Sequence, residues 1–95
     1  MPYFAVEYTY DVAAATAMDE VRPRHREYLS SLADQGINIA SGPWTDEAPG
    51  ALLVMHADNA QQVEELLDLD PFFIAGFITT RSIRAWNPVI GQLKN

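Results

Sequence analysis

The sequence contains no cysteine. Disulfide bridges, thiolate zinc centres and cysteine nucleophiles are excluded, so any chemistry must come from other side chains. Positive charge is scarce: Lys and Arg number six against thirteen Asp and Glu, a formal charge of −7. So acidic a chain repels a phosphate backbone, which argues against nucleic acid as a partner. Long hydrophobic runs are missing too. No stretch approaches the roughly 20 apolar residues of a membrane-spanning helix. The N-terminal MPYFAVEYTY lacks the basic flank and apolar length of a secretory signal. The expectation is a cytoplasmic protein with no membrane partner. Glycine is sparse, at five residues, and forms neither a phosphate-binding loop nor a G-x-S-x-G elbow. The two histidines, His25 and His56, have no neighbouring ligands at metal-site spacing, so no metal and no cofactor is expected.

What is present is a modest globular domain: 95 residues, 48% of them apolar, read as one unit over 1–95. Tyr3 to Tyr10 alternates as a strand with Phe4, Val6, Tyr8 and Tyr10 on one face. Residues 11–20 read as a loop, with a helical turn in AAATAM. A helix is expected from about Val21, where Pro23 would fall in the first turn, to the stop at Gly36. Ile37–Trp44 and Ala51–Ala57 read as a hairpin around TDEAPG. Asp58 or Asn59 would cap a second helix reaching about Leu69, closed by Pro71. After a turn through Phe72–Gly76, a last strand covers Phe77–Trp86. The tail from Asn87 is irregular, and its Val89 and Ile90 call for something to pack against.

The order β-α-β-β-α-β predicts an α+β, ferredoxin-like fold: a four-stranded antiparallel sheet with both helices on one face. Phe4, Ala5, Val6, Leu52, Leu53, Val54 and Met55 supply apolar side chains to both sides of the sheet and leave the second face in need of cover. A second copy of the chain is the simplest cover, so a homodimer is expected. The topology also gathers one set of polar residues. His25, Leu29 and Leu32, with Tyr28, share one stripe of the first helix; Val63, Leu66 and Leu67 share one on the second, which Asp70 would extend. His25 and Asp70 should therefore meet at one rim, with Tyr8, Tyr10, Trp44 and Phe72–Phe73 around them. An imidazole against a carboxylate is a usable base at neutral pH. The aromatic wall suits a small anionic or aromatic ligand, and Tyr8 or Tyr10 is placed to donate to a developing oxyanion. Competing with this, His25 and Asp70 read equally as a local polar contact and a helix-stop residue. His56 reads as structural, Trp44 as a residue closing the hairpin. The arginines, clustered as Arg22/Arg24/Arg26 and Arg81/Arg84, read as solvated charge.

R-P-x-H-R-x-Y-L at Arg22–Leu29, G-x-x-x-x-S-G-P at Gly36–Pro43, D-P-F at Asp70–Phe72 and I-R-x-W-N-P-V-x-G at Ile83–Gly91 resemble the YCII-related family. The resemblance runs from Tyr3 to Gly91. It implies a dimeric α+β barrel with a His–Asp active site at His25 and Asp70, and with Ser41 and Gly42 beside them. It also implies kinship with a dehydrochlorinase of chlorinated hydroxyquinols and with the fold of muconolactone isomerases. The leading expectation is a cofactor-independent lyase or isomerase acting on a small oxygenated ring-derived substrate. His25 and Asp70 would be catalytic, and Ser41, Gly42, Tyr8, Trp44 and Phe72 would contact the substrate. A non-catalytic dimer binding a small ligand or a partner protein is the second reading. A monooxygenase of the related dimeric barrels, cofactor-free or haem-using, is the third.

Overall fold

The computed structural model describes residues 2–93. β1 (Tyr3–Tyr10) leads through a 3-10 turn (Val12–Ala14) into α1 (Ala15–Asp34). β2 (Asn38–Pro43) and β3 (Gly50–His56) form a hairpin. α2 (Ala60–Leu67) and the single-turn α3 (Pro71–Ile74) precede β4 (Ile78–Trp86). The sheet order is β2-β3-β1-β4, and every neighbouring pair is antiparallel. This is the ferredoxin-like α+β arrangement expected from the order of elements.

α1 differs most from expectation. It begins at Ala15, in the stretch read as loop, and Pro23 lies well inside it. The Asp11 carboxylate starts the turn by accepting from the Ala13 N–H at 3.0 Å, and the alanine-rich AAATAM continues it with the best helix-forming residue. An internal proline removes one N–H bond and crowds the preceding carbonyl, at a cost of about 3 kcal/mol. Burial of Met18 upstream and of His25, Leu29 and Leu32 downstream offsets it. At the other end Gly36 adopts φ 78°. The Ile37 N–H donates to Leu32 O and the Gly36 N–H to Ala33 O, at 2.9 and 3.0 Å, a paired stop that turns the chain into β2.

The second helical segment also divides differently. Asn59 caps α2 by accepting from the Gln62 N–H at 2.8 Å, but α2 ends at Leu67. Pro71 does not close that helix. It opens α3, for which Asp70 is the N-cap. Proline is suited to a first helical position and drives the residue before it into extended backbone; Asp70 accordingly has φ −62° and ψ 125°.

The core lies between the sheet and the helices. Phe4, Val6, Tyr8 and Tyr10 of β1 meet Leu53 and Met55 of β3, Leu29 and Leu32 of α1, Val63 and Leu67 of α2, and Phe72 of α3. The Tyr28 hydroxyl fastens α1 to α2 by donating to Leu66 O at 2.6 Å. On β4, Arg81 pairs with Asp68 at 2.8 Å and lies over the Phe73 ring, so its charge is not solvated as expected. The opposite sheet face carries Ala5, Leu52 and Val54 with no helix over it, and Val54 is buried but outside the core cluster. Val89 and Ile90 do not pack on this chain; they are exposed, and Pro88 is the buried residue of the tail. Lys94 and Asn95, the end of the tail expected to be irregular, lie outside the described residues. Among the described residues no helix is long and apolar enough to cross a membrane.

Gly50 begins β3 where the hairpin closes. A Cβ there would overlap the Tyr8 carbonyl oxygen and sit 3.0 Å from Cδ1 of the Trp44 indole. At Gly42, in β2, a Cβ would meet nothing within 4 Å. Gly50→Ala is expected to destabilise the chain by about 1–3 kcal/mol, as overpacking does. Gly42→Ala should stay within about 0.5 kcal/mol of the parent. Urea unfolding of the two variants side by side checks this.

Candidate active site

Asp70 is fully buried, and its carboxylate accepts from three elements at once. His25 Nδ1, from α1, lies 2.7 Å from Oδ1. The Phe72 N–H, at the start of α3, donates to the same oxygen at 3.0 Å. The Tyr8 hydroxyl, from β1, donates to Oδ2 at 3.1 Å. With both carboxylate oxygens acting as acceptors, the shared His25 proton resides on Nδ1. The other ring nitrogen, Nε2, is left as the acceptor that a ligand can meet.

The imidazole is held on its face as well. Its ring stacks on Phe72 with centroids 3.8 Å apart and planes inclined by 9°. Phe72 is braced edge-on by Tyr10 and Phe77, at 5.6 and 5.9 Å. Asp-Pro-Phe thus works as a unit: Asp70 orients the ring edge, Pro71 sets the turn, and Phe72 supports the ring plane. The meeting point is the middle of α1 and the α2–α3 junction. It is not the pair of helix ends first expected, because α1 starts earlier and α2 stops sooner.

His25 opens onto a cavity of about 460 Å³ between α1 and β2. Ser41, Gly42 and Phe72, expected at the substrate, line it together with His25. Tyr8 does not. Its hydroxyl is committed to Asp70, so the expected substrate contact is corrected to a support for the carboxylate. Trp44 lines an adjoining recess of about 250 Å³ with Val12, Met18 and Gly50; the two cavities share Tyr10, Arg22 and Pro43. His56 is remote from both and stacks on Tyr3 at 4.5 Å.

Three lining residues were not singled out from the sequence as site residues. Asn38 Nδ2 donates to Leu29 O at 3.2 Å and to Ser41 Oγ at 3.0 Å. Its Oδ1 is buried with no hydrogen-bond partner among the described residues. Arg22 and Arg26 line the cavity on the stripe of His25 and Leu29; Arg22 is half-buried, whereas Arg26 is exposed, as the solvated-charge reading has it. Their i, i+3, i+4, i+7 spacing was the available signal; it was obscured by placing the helix start at Val21.

The tyrosine hydroxyls feel the site strongly. Burial, then the Asp70 charge, push Tyr8 far above the ordinary phenol range. Burial and Asp70 push Tyr10 up to about 12, with Arg22 and Arg26 opposing. A raised folded value means that stability is complete below the unfolded tyrosine value near 10 and is lost as pH rises above it. Alkaline titration followed at 295 nm should therefore show Tyr8 and Tyr10 ionising late, together with loss of circular dichroism. Tyr8→Phe removes one hydrogen bond to a charged group and is expected to lower stability by about 1.5–3 kcal/mol in urea.

A model of the YCII-related domain family matches residues 1–87. Among solved structures the chain is similar to 5-chloro-2-hydroxyhydroquinone dehydrochlorinase from Burkholderia phenoliruptrix AC1100, in complex with 2,5-dihydroxybenzoquinone. The TM-score is 0.78 at 21% identity, covering 98% of this chain and 99% of that one. No curated protein matches the chain.

Proposed function

The chain belongs to the YCII-related domain family, and from that premise we propose that it is a small enzyme moving protons on an oxygenated, ring-derived substrate by elimination or isomerisation. The observation that carries this reading is the 2.7 Å contact of His25 with Asp70, with His25 opening onto a cavity. His25 Nε2 takes a proton from the substrate. The electron pair left behind either expels a leaving group from the neighbouring carbon or moves along the ring to a new protonation site. Asp70 keeps the ring in one tautomer and offsets the charge of the imidazolium. The imidazolium then returns its proton to the isomerised substrate or, after elimination, to solvent. Ser41 Oγ already accepts from Asn38, so its own proton is free to steady a substrate oxygen. These steps need only side chains of the chain itself. The solved dehydrochlorinase, with a dihydroxybenzoquinone bound, supports the ring-substrate class.

The uncovered sheet face, with Ala5, Leu52 and Val54 at its centre, supports pairing with a second copy, and the cysteine-free composition supports a cytoplasmic setting. Light scattering at micromolar concentration should give twice the chain mass of 10.6 kDa; a monomer would remove the dimer from the reading.

Chlorinated and hydroxylated quinols and ring lactones, assayed for halide release and for solvent deuterium uptake, test the chemistry. His25→Ala is expected to lower kcat by roughly 10²–10⁴-fold. Asp70→Asn should act in the same direction with little change in KM. Activity that survives His25→Ala unchanged would show that the assignment is wrong.

A further inference from the structure

The charge of the cavity lining runs against the charge of the chain. The protein has thirteen Asp and Glu for six Lys and Arg, yet the main cavity is lined by Arg22, Arg26 and His25 and by no carboxylate. Asp70, behind His25, is fully buried and taken up by its three donors. The two arginines sit at i and i+4 on α1, where like charges oppose each other and weaken the helix. Arg22 pairs through Nη1 with the exposed Asp19 and lies over the Phe72 ring, its Cζ 5.8 Å from the centroid. That pairing leaves the other guanidinium donors uncommitted among the described residues. Arg26, exposed like Arg24 but part of the lining, has no carboxylate partner among the described residues. Both cations act on the Tyr10 hydroxyl in the same lining.

We propose that Arg22 and Arg26 form an anion clamp in the His25 cavity, so that the ligand is a small organic anion, a ring carboxylate or ionised enol. This deepens the proposed function by assigning the charge of the substrate, and it rests on that cavity being the substrate site. Planar guanidinium forks suit a carboxylate or enolate edge. They lie on the α1 stripe that carries His25, so an anion held by them keeps its ring within the cavity and under the imidazole. A ligand already charged in its ground state gains from the clamp on binding. A neutral ligand would gain only as charge develops.

Isothermal titration of the whole protein with salicylate and with neutral salicylamide tests this, with malonate as an anion lacking a ring. Salicylate should bind more tightly than salicylamide by about tenfold, and its affinity should fall with added salt. Arg22→Gln and Arg26→Gln should each weaken salicylate by roughly tenfold and leave salicylamide unchanged. Arg24→Gln, whose side chain is exposed and outside the lining, should change neither. Circular dichroism confirms that each variant is folded. The proposal is overturned if neither salicylate nor malonate binds, if acid and amide bind alike, or if both arginine variants bind salicylate as the parent does. His25→Ala separates the two readings. Anion binding that survives in it supports the clamp whether or not proton-transfer activity is lost.

Discussion

One buried carboxylate organises the site. Asp70 draws the Tyr8 hydroxyl from the sheet, the His25 ring from α1 and the Phe72 N–H from α3 onto its two oxygens. A charge removed from water is tolerated only where donors replace its hydration. The core must therefore be assembled around these contacts, and the elements that bear them are fixed relative to one another. The same contacts that make the buried charge tolerable also set the tautomer of the imidazole.

Support for that group extends outward in layers. Tyr10 and Phe77 brace Phe72, which lies flat on His25. Tyr28 ties α1 to α2, and Arg81 ties β4 to Asp68 next to the Asp70 turn. The imidazole is thereby held at its edge and on one face, in the lining of the cavity.

The acidity of the chain and the basic lining of the cavity are complementary. An overall negative charge keeps the molecule from nonspecific contact with polyanions. The cavity lining, by contrast, holds two arginines and no carboxylate. The cations are placed by helix periodicity alone, since Arg22, His25, Arg26 and Leu29 fall on one stripe.

Much of the architecture was legible in the residues. The alternation of Phe4, Val6, Tyr8 and Tyr10, the stop at Gly36 and the cap at Asn59 each reflect a local rule, and β1, the end of α1 and the start of α2 lie where those rules put them. The meeting of His25 with Asp70 could be anticipated because element order and helix stripes restrict which side chains face inward. Local rules failed where two of them competed. Pro23 reads as a helix start, but an alanine-rich run before it and a buried stripe on both sides outweigh the lost hydrogen bond. Pro71 reads as a stop, but it equally suits the first position of a new turn, and Asp70 capping that turn decides between them. What the sequence determined by itself was the fold class and which imidazole and carboxylate would meet, because periodicity and turn chemistry act over a few residues. Only the tertiary structure decided that Tyr8 bonds Asp70 and lies outside the cavity lining, that Asn38 holds Ser41, and that two arginines line the cavity, because each depends on distances between segments remote in the chain or on where a helix begins.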